Sequence, residues 1–333
     1  MTVSLIATVL NEGAALERLL NSIAAQTRLP DEVVICDGGS RDDTVARLEA
    51  ERRFPVRVLI EPGANISRGR NVAIAATRGD LIVCTDAGVS LEPTWLARLV
   101  EAAEAAGLGP EDKRLVAGFF APEATTVFEL AMCATVLPLH NEINPDTFLP
   151  SSRSVAFTRA GWEAAGRYPE WLDYCEDLIF DFRARAAGAF VPALDAIAHF
   201  RPRSSLRAFW RQYRLYARGD GKADLWPRRH LIRYAIYLLA LPALLLGILF
   251  APAFWIQALC TAALALGAGA YLRTPLRRLV TLWGKYGAAE RLKALAWVPV
   301  IRVVGDVAKM VGYPAGRVWR RARLATQPEL RWR

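Results

Sequence analysis

From Tyr234 to Leu272 the chain carries no charged residue, a run of 39 positions. One helix crossing the hydrocarbon of a bilayer needs about 20 apolar residues, so this run is long enough for two crossings. Ala251-Pro252 near its middle makes a natural turn. Arg228, Arg229 and Arg233 precede the run, and Arg273, Arg277 and Arg278 follow it. Basic flanks on both sides place both ends of a two-span hairpin in the cytoplasm. Two amphipathic segments come next. Thr274-Pro275 has the form of a cap followed by proline at the first helical position. Over Pro299–Met310 the charges Arg302, Asp306 and Lys309 fall at i, i+4, i+7 on one face. Both segments are expected as helices lying in the membrane interface.

The charge follows the same division. Residues 227–333 hold 17 Lys/Arg against 3 Asp/Glu, leaving 25 against 30 for residues 1–226. A basic half suits either nucleic acid or an anionic membrane surface. Here the basic residues flank apolar spans with no aromatic-basic recognition module, so membrane lipids are the expected partner and nucleic acid is not. Cys36, Cys84, Cys133, Cys175 and Cys260 show no metal-type or CxxC spacing and read as free thiols. The apolar stretch Val3–Leu10 lacks a basic flank, is broken by Asn11-Glu12, and reads as a first strand.

The first 120 residues alternate short β-rich runs with helical spacing. Runs at Val3–Val9, Glu32–Cys36, Val56–Ile60, Asp80–Thr85 and Leu115–Phe119 are expected as strands. Helices are expected at Ala14–Ala25, Asp42–Glu51, Arg70–Thr77 and Thr94–Ala106. Such alternation builds a mostly parallel sheet covered on both faces. Ligands of such sheets sit beyond the carboxyl ends of the strands, which singles out Asn11-Glu12, Asp37 and Asp86. Asp37 opens the loop Gly38-Gly39-Ser40-Arg41-Asp42-Asp43-Thr44, where an acid can bind a base or ribose or cap the next helix. Asp86 ends a strand, where it can meet ribose, a metal, or a turn. Further along, Glu176-Asp177 heads a helical run from Leu178 to Ala187, as a base would or as acids at a helix start commonly do. Arg207, Arg211, Arg214 and Arg218 line one face of a helix spanning Leu206–Arg218 and suit phosphate oxygens, solvent or lipid headgroups.

Taken in order, Ala7-Thr8-Val9-Leu10-Asn11-Glu12, the loop from Asp37 to Thr44, Arg68-Gly69-Arg70-Asn71, Gly79-Asp80 leading into Thr85-Asp86-Ala87-Gly88, and Glu176-Asp177 resemble family 2 glycosyltransferases of the GT-A fold. The resemblance runs from Val3 to about Arg218. It implies an α/β GT-A domain over residues 1–226 and an α-helical membrane region over 227–333, with spans at about 234–272. It also implies an enzyme that takes a sugar from a nucleotide-diphosphate donor to a lipid-linked or cell-envelope glycan acceptor, with inversion. The chain is then a multi-pass protein of the cell (inner) membrane with its catalytic domain in the cytoplasm. Thr8, Asn11, Glu12, Asp37, Arg70 and Asp86 are the implied donor-binding residues, joined by Arg211 and Arg214 at the family's diphosphate-binding QxxRW-like element. Asp177, with Glu176 beside it, is the implied catalytic base. Ser152, Arg153 and Ser154 lie in a stretch matching the acceptor side. Asp86 and His199 are the implied ligands of Mg2+ or Mn2+. The run Gly305-Asp306-Val307-Ala308-Lys309 resembles the tail of membrane-bound members.

Two departures stand out. The second acid of the family's DxD element is Gly88, and the arginine element reads Gln212-Tyr213-Arg214-Leu215-Tyr216. They motivate a second reading, a catalytically weak or inactive membrane-tethered protein that binds nucleotide sugars.

Overall fold

The computed structural model describes residues 1–332. In chain order the elements are β1 (Val3–Val9), α1 (Leu16–Ala24), β2 (Glu32–Asp37), α2 (Thr44–Ala50), β3 (Val56–Ile60), α3 (Ile66–Ala76), β4 (Leu81–Cys84), β5 (Val89–Leu91), α4 (Trp95–Ala105) and β6 (Val116–Pro122). Then come α5 (Val127–Val136), β7 (Val155–Phe157), α6 (Arg159–Ala164), α7 (Glu176–Ala187), β8 (Val191–Phe200), α8 (Leu206–Ala223), α9 (Pro227–Ala235), α10 (Leu241–Phe250), α11 (Phe254–Leu282) and α12 (Ala288–Arg323). The chain divides into two compact units. Residues 1–123 and 139–201 form the first, and residues 124–138 and 202–333 form the second.

The first unit is built on one eight-stranded sheet of order β3-β2-β1-β4-β7-β6-β8-β5. The β1–β2, β1–β4 and β2–β3 pairs are parallel. The sheet turns antiparallel at β4–β7, β6–β7 and β5–β8 and is parallel again at β6–β8. Alternation along the strands explains how the sheet is covered. Val3, Leu5, Ala7 and Val9 of β1 join the core formed with Leu16, Leu19, Leu20 and Ile23 of α1 and Trp95, Leu96 and Leu99 of α4. Ile6 points the other way and joins Ala73 and Ile74 of α3, Trp162 of α6 and Phe180 of α7. Every helix of the alternating region thus buries an apolar stripe on one face or the other, and the carboxyl ends of β1, β2 and β4 are left to loops.

The α/β expectation holds in type, with two short strands added to the alternating pattern. β5 and β7 are three residues each and carry no readable periodicity; their pairing partners, not their own sequence, make them strands.

The second unit is helical. Its core gathers Leu130 and Met132 of α5, Phe209 of α8, Leu279 of α11, and Val298 and Ile301 of α12. The helical stretches Pro227–Phe250 and Phe254–Leu282 are long and apolar enough to cross a membrane, and their most apolar windows contain no buried residue. The turn between them falls at residues 251–253, where Ala251-Pro252 suggests one.

Two details differ from the sequence expectation. Pro275 lies inside α11 rather than at a helix start, and Pro299 and Pro314 lie inside α12, which runs unbroken for 36 residues. Each proline removes one backbone bond, so tertiary packing carries these helices through positions that local rules assign to helix ends. The division into units also differs from a boundary at residue 226, because α5 and α8 group with the C-terminal helices.

The reason for α8 is visible in its glycines. A side chain at Gly312 or Gly316 of α12 would overlap the carbonyl oxygens of Arg214 and Arg218 on α8, and one at Gly221 of α8 would overlap that of Tyr313. The two helices touch backbone to backbone. By contrast, a Cβ at Gly267 of α11 meets nothing within 4 Å. Gly312→Val therefore has to push α8 and α12 apart and should destabilise the second unit by about 3 kcal/mol or more, the upper range for overpacking. Gly267→Ala should leave the unit's stability unchanged or slightly raised. Thermal unfolding of the solubilised chain checks both, and an unperturbed Gly312→Val protein would refute the close crossing.

Candidate active site

Three of the residues singled out after strands sit in one polar region of the first unit. Asp37 ends β2 and is 0% exposed. Its Oδ1 accepts from the backbone N–H of Gly39 and of Ser40, both at 2.8 Å, and its Oδ2 accepts from Ser40 Oγ. The carboxylate thus folds its own loop while keeping one acceptor position on Oδ2. Asn11, with φ at 54°, is locked to the same loop: its N–H donates to Ser40 Oγ and its Oδ1 accepts from Arg41 N–H. The N–H groups of Glu12 and Gly13 both donate to Thr44 Oγ1 at 2.9 Å. Thr8 lies under α3, where its Cγ2 would come within 2.9 Å of any Cβ at position 69; glycine is what lets the helix sit this close.

The four residues of Arg68-Gly69-Arg70-Asn71 divide their tasks along α3. Arg68 pairs outward with Glu61 at 3.0 Å. Gly69 fits over Thr8. Asn71 ties down a distant segment, with its Nδ2 donating to Tyr168 O and Glu170 Oε1 while its Oδ1 accepts from Tyr168 N–H and Trp162 Nε1. Arg70 turns inward and is 2% exposed. One Nη bonds Asp86 Oδ1 at 2.7 Å and the other bonds Glu176 Oε1 at 2.8 Å. Its guanidinium also lies over the Tyr168 ring, 5.1 Å from the centroid. One buried cation thus joins the end of β4 to the start of α7.

Arg153 approaches from the loop before β7. Its Nε is 3.4 Å from Asp86 Oδ2, and its guanidinium lies over the Phe200 ring at 4.9 Å. Asp86 therefore faces two guanidinium groups, which hold its carboxyl below the usual carboxylate range although burial opposes this.

Glu176 and Asp177 open α7 directly after Cys175, which adopts a left-handed conformation (φ 65°). Burial raises the Glu176 pKa to about 6, with Asp177 adding to the rise and Arg70 opposing it. The Asp177 carboxyl is likewise raised, chiefly by burial, while Arg70 and Arg153 pull it down. The two form a coupled pair that takes up a proton more readily than free acids do. One turn further, Asp181 is 3% exposed and its Oδ2 has no hydrogen-bond partner. Burial pushes its pKa well above the usual range, and Asp177 adds to this.

Several expected site residues have other partners. Ser152 and Ser154 are buried: Ser152 Oγ bonds Tyr168 OH, and Ser154 Oγ accepts from Trp95 Nε1 and donates to Ala196 O. Of the expected acceptor-side trio only Arg153 reaches the acid cluster. His199 lies opposite Ser90 across the β5–β8 pair, with its Nε2 on Glu92 Oε1 at 2.9 Å. Arg211 and Arg214 belong to α8 of the second unit, where both are exposed.

The two residues expected to bind a metal are engaged with other side chains. The Asp86 oxygens face arginines, His199 is paired with Glu92, and Gly88 stands where the second acid would be. Among the described residues no three His, Cys, Asp or Glu side chains group to enclose an ion. The guanidinium groups of Arg70 and Arg153 are the charges that face the Asp86 carboxylate in this structure.

The region from β1 into the stretch after α4 carries a family match. Residues 4–109 match the model of glycosyl transferase family 2. The first unit thus has a GT-A-like fold and carries, over residues 4–109, a likeness to glycosyl transferase family 2. Among curated proteins, the undecaprenyl-phosphate 4-deoxy-4-formamido-L-arabinose transferase of Yersinia enterocolitica is 33% identical over 109 residues, 31% of this chain and 33% of that protein. An uncharacterized glycosyltransferase of Nostoc is 30% identical over 104 residues, 30% of this chain and 32% of that protein. The matches span about a third of the relatives' length. Among solved structures, the mannosyltransferase PcManGT of Pyrobaculum calidifontis, in complex with GDP-Man and Mn2+, superposes with a TM-score of 0.54 at 20% identity, over 94% of this chain and 86% of that one. The S. aureus TarS 1-349 complex with UDP-GlcNAc gives 0.50 at 17% identity, over 98% and 93%. At these identities the likeness is one of fold.

The raised carboxyls give a pH test. A carboxyl whose folded-state pKa exceeds its unfolded value favours the fold at acid pH, and that contribution is lost as pH rises through the folded value. Asp181 is such a group, so Asp181→Asn should raise the unfolding temperature at pH 7.5, and the gain should shrink towards pH 4. A variant with the same stability difference at both pH values would contradict the burial of an unpaired acid here.

Proposed function

We propose that the chain transfers a sugar from a nucleoside-diphosphate donor to a lipid-linked acceptor at the cytoplasmic membrane face. The observation that carries this reading is the acid pair Glu176–Asp177, joined through buried Arg70 to Asp86 at the end of a central strand. Asp86 is the acid held ionised by two guanidinium groups, and Asp177 the partly exposed one with a raised pKa, suited to accept a proton. The names of curated relatives, which transfer to undecaprenyl phosphate, support a lipid-linked acceptor. The two apolar helices support a membrane location.

In this reading the nucleotide meets the ends of β1 and β2 at Thr8, Asn11, Glu12 and Asp37, where Asp37 keeps one acceptor position for a base N–H. Asp86 accepts from the ribose. The Asp177 carboxylate takes the proton of an acceptor hydroxyl, whose oxygen forms a bond to the anomeric carbon. The bond from that carbon to the diphosphate oxygen breaks, and the nucleoside diphosphate leaves with the electron pair. A single displacement of this kind inverts the anomeric centre. Arg70 anchors Glu176 through its bond to Oε1 at 2.8 Å, which leaves Asp177 as the member of the pair open to an acceptor. Arg153, stacked on Phe200, holds its charge beside Asp86 and Asp177.

Asp177→Asn should bind UDP and GDP as the parent does and lose transfer by about 10²-fold or more, the scale of general-base catalysis. The assay is donor turnover by the solubilised full chain with a polyprenyl-linked acceptor. Parental turnover in the variant would overturn Asp177 as the base, and a parent chain that binds UDP and GDP but turns over no donor would sink the reading in favour of a nucleotide-sugar-binding protein.

A further inference from the structure

The motif Gly305-Asp306-Val307-Ala308-Lys309 is not used by the reaction above. It lies on α12, with Gly305 pressed against Phe209, where a Cβ would meet the ring at 3.1 Å. Arg302, Asp306 and Lys309 follow one another at i, i+4 and i+7 along one face. Asp306 is fully engaged. Its Oδ1 accepts from Arg233 Nε at 2.7 Å, and its Oδ2 accepts from Tyr271 OH at 2.6 Å and Tyr237 OH at 3.3 Å. Tyr234 OH donates to Met310 O at 2.6 Å. Tyr234 and Tyr237 come from the first apolar helical stretch and Tyr271 from the second, so Asp306 ties both to α12.

The two cations flanking Asp306 are different. Arg302 makes no ion pair among the described residues; its guanidinium lies over the Tyr271 ring at 4.7 Å, and its Nε is buried with no hydrogen-bond partner. Lys309 lies over the Tyr213 ring at 5.2 Å, also without an ion pair among the described residues. The acids near it are Asp306, already saturated, and Asp220, which takes a bond from His230 at 3.2 Å. Three cations, Arg233, Arg302 and Lys309, thus gather around one saturated carboxylate beside two apolar helices. A half-buried guanidinium is costly to leave unpaired, and its planar fork matches phosphate oxygens. Leu238, Leu239, Leu245 and Leu249 of the adjoining stretch are all exposed and offer an apolar surface to a tail.

We propose that Arg302 and Lys309 of α12, with Tyr271 and Tyr213, bind the phosphate headgroup of an isoprenoid lipid whose chain runs along the apolar helices. This rests on the lipid-linked acceptor of the proposed function and assigns its phosphate to a place in the second unit. Arg302 and Lys309 bind and position the lipid; neither takes part in the chemical step.

The test uses the full chain in neutral detergent, with farnesyl phosphate as probe and farnesol and inorganic phosphate as controls. Farnesyl phosphate should bind more tightly than either control. Arg302→Gln combined with Lys309→Gln should weaken it by tenfold or more while UDP and GDP binding stay unchanged, which shows that the variant is folded. Equal binding of farnesol, or undiminished farnesyl phosphate binding by the double variant, would overturn the site. Full competition by phosphatidylglycerol vesicles would overturn it too, in favour of bulk anionic lipid. Loss of binding in the double variant of a chain that shows no transfer would uphold this site and sink the transferase reading alone.

Discussion

Arg70 sits where three stretches far apart in sequence must meet. Its guanidinium bonds the carboxylate that ends β4 and the one that begins α7, and it rests on Tyr168, which the neighbouring Asn71 helps to hold. A buried cation with two carboxylate partners is costly to disrupt, because removing it strands both acids. That pairing makes the rest of the site possible: it keeps Asp86 ionised, holds Glu176 against burial, and leaves Asp177 as the partly exposed acid of the pair. The sheet beneath contributes rigidity, with its central strands buried on both faces by α1 and α4 on one side and by α3, α6 and α7 on the other.

The second unit follows a different logic. Small residues let α8 and α12 meet at their backbones, and a tyrosine-acid-arginine knot ties the apolar helices to α12. Polar groups beside apolar helices are expensive unless satisfied internally. Asp306 satisfies its share, and Arg302 and Lys309 are the cations left over.

Much of this could be read from the sequence, for identifiable reasons. The strands β1 to β4 and helices α1 to α4 follow from periodicity, and the acids at strand and helix ends follow from where ligands sit on such sheets. The turn at residues 251–253 follows from Ala251-Pro252. What escaped has physical causes as well. β5 and β7 are too short to show a period. Proline rules are local, and packing overrides them at Pro275, Pro299 and Pro314. The Arg70–Glu176 bond spans 106 positions, a separation at which sequence spacing says nothing. Ser152, Ser154 and His199 have the right chemistry for a site, yet their hydrogen bonds run to Tyr168, Trp95 and Glu92. Only the folded chain shows this.

The central claim is that the coupled carboxyls of Glu176 and Asp177 supply the base. The most direct measurement is the pH dependence of single-turnover transfer to a hydroxyl acceptor by the full chain. Burial raises Glu176 to about 6 and also raises Asp177, so each takes up a proton at a higher pH than a free acid does. The rate should fall about tenfold for each pH unit below the pKa of the essential base, which lies above the free-aspartate range. A rate that stays level from pH 7.5 to below pH 5, in a chain that remains folded, would contradict the account.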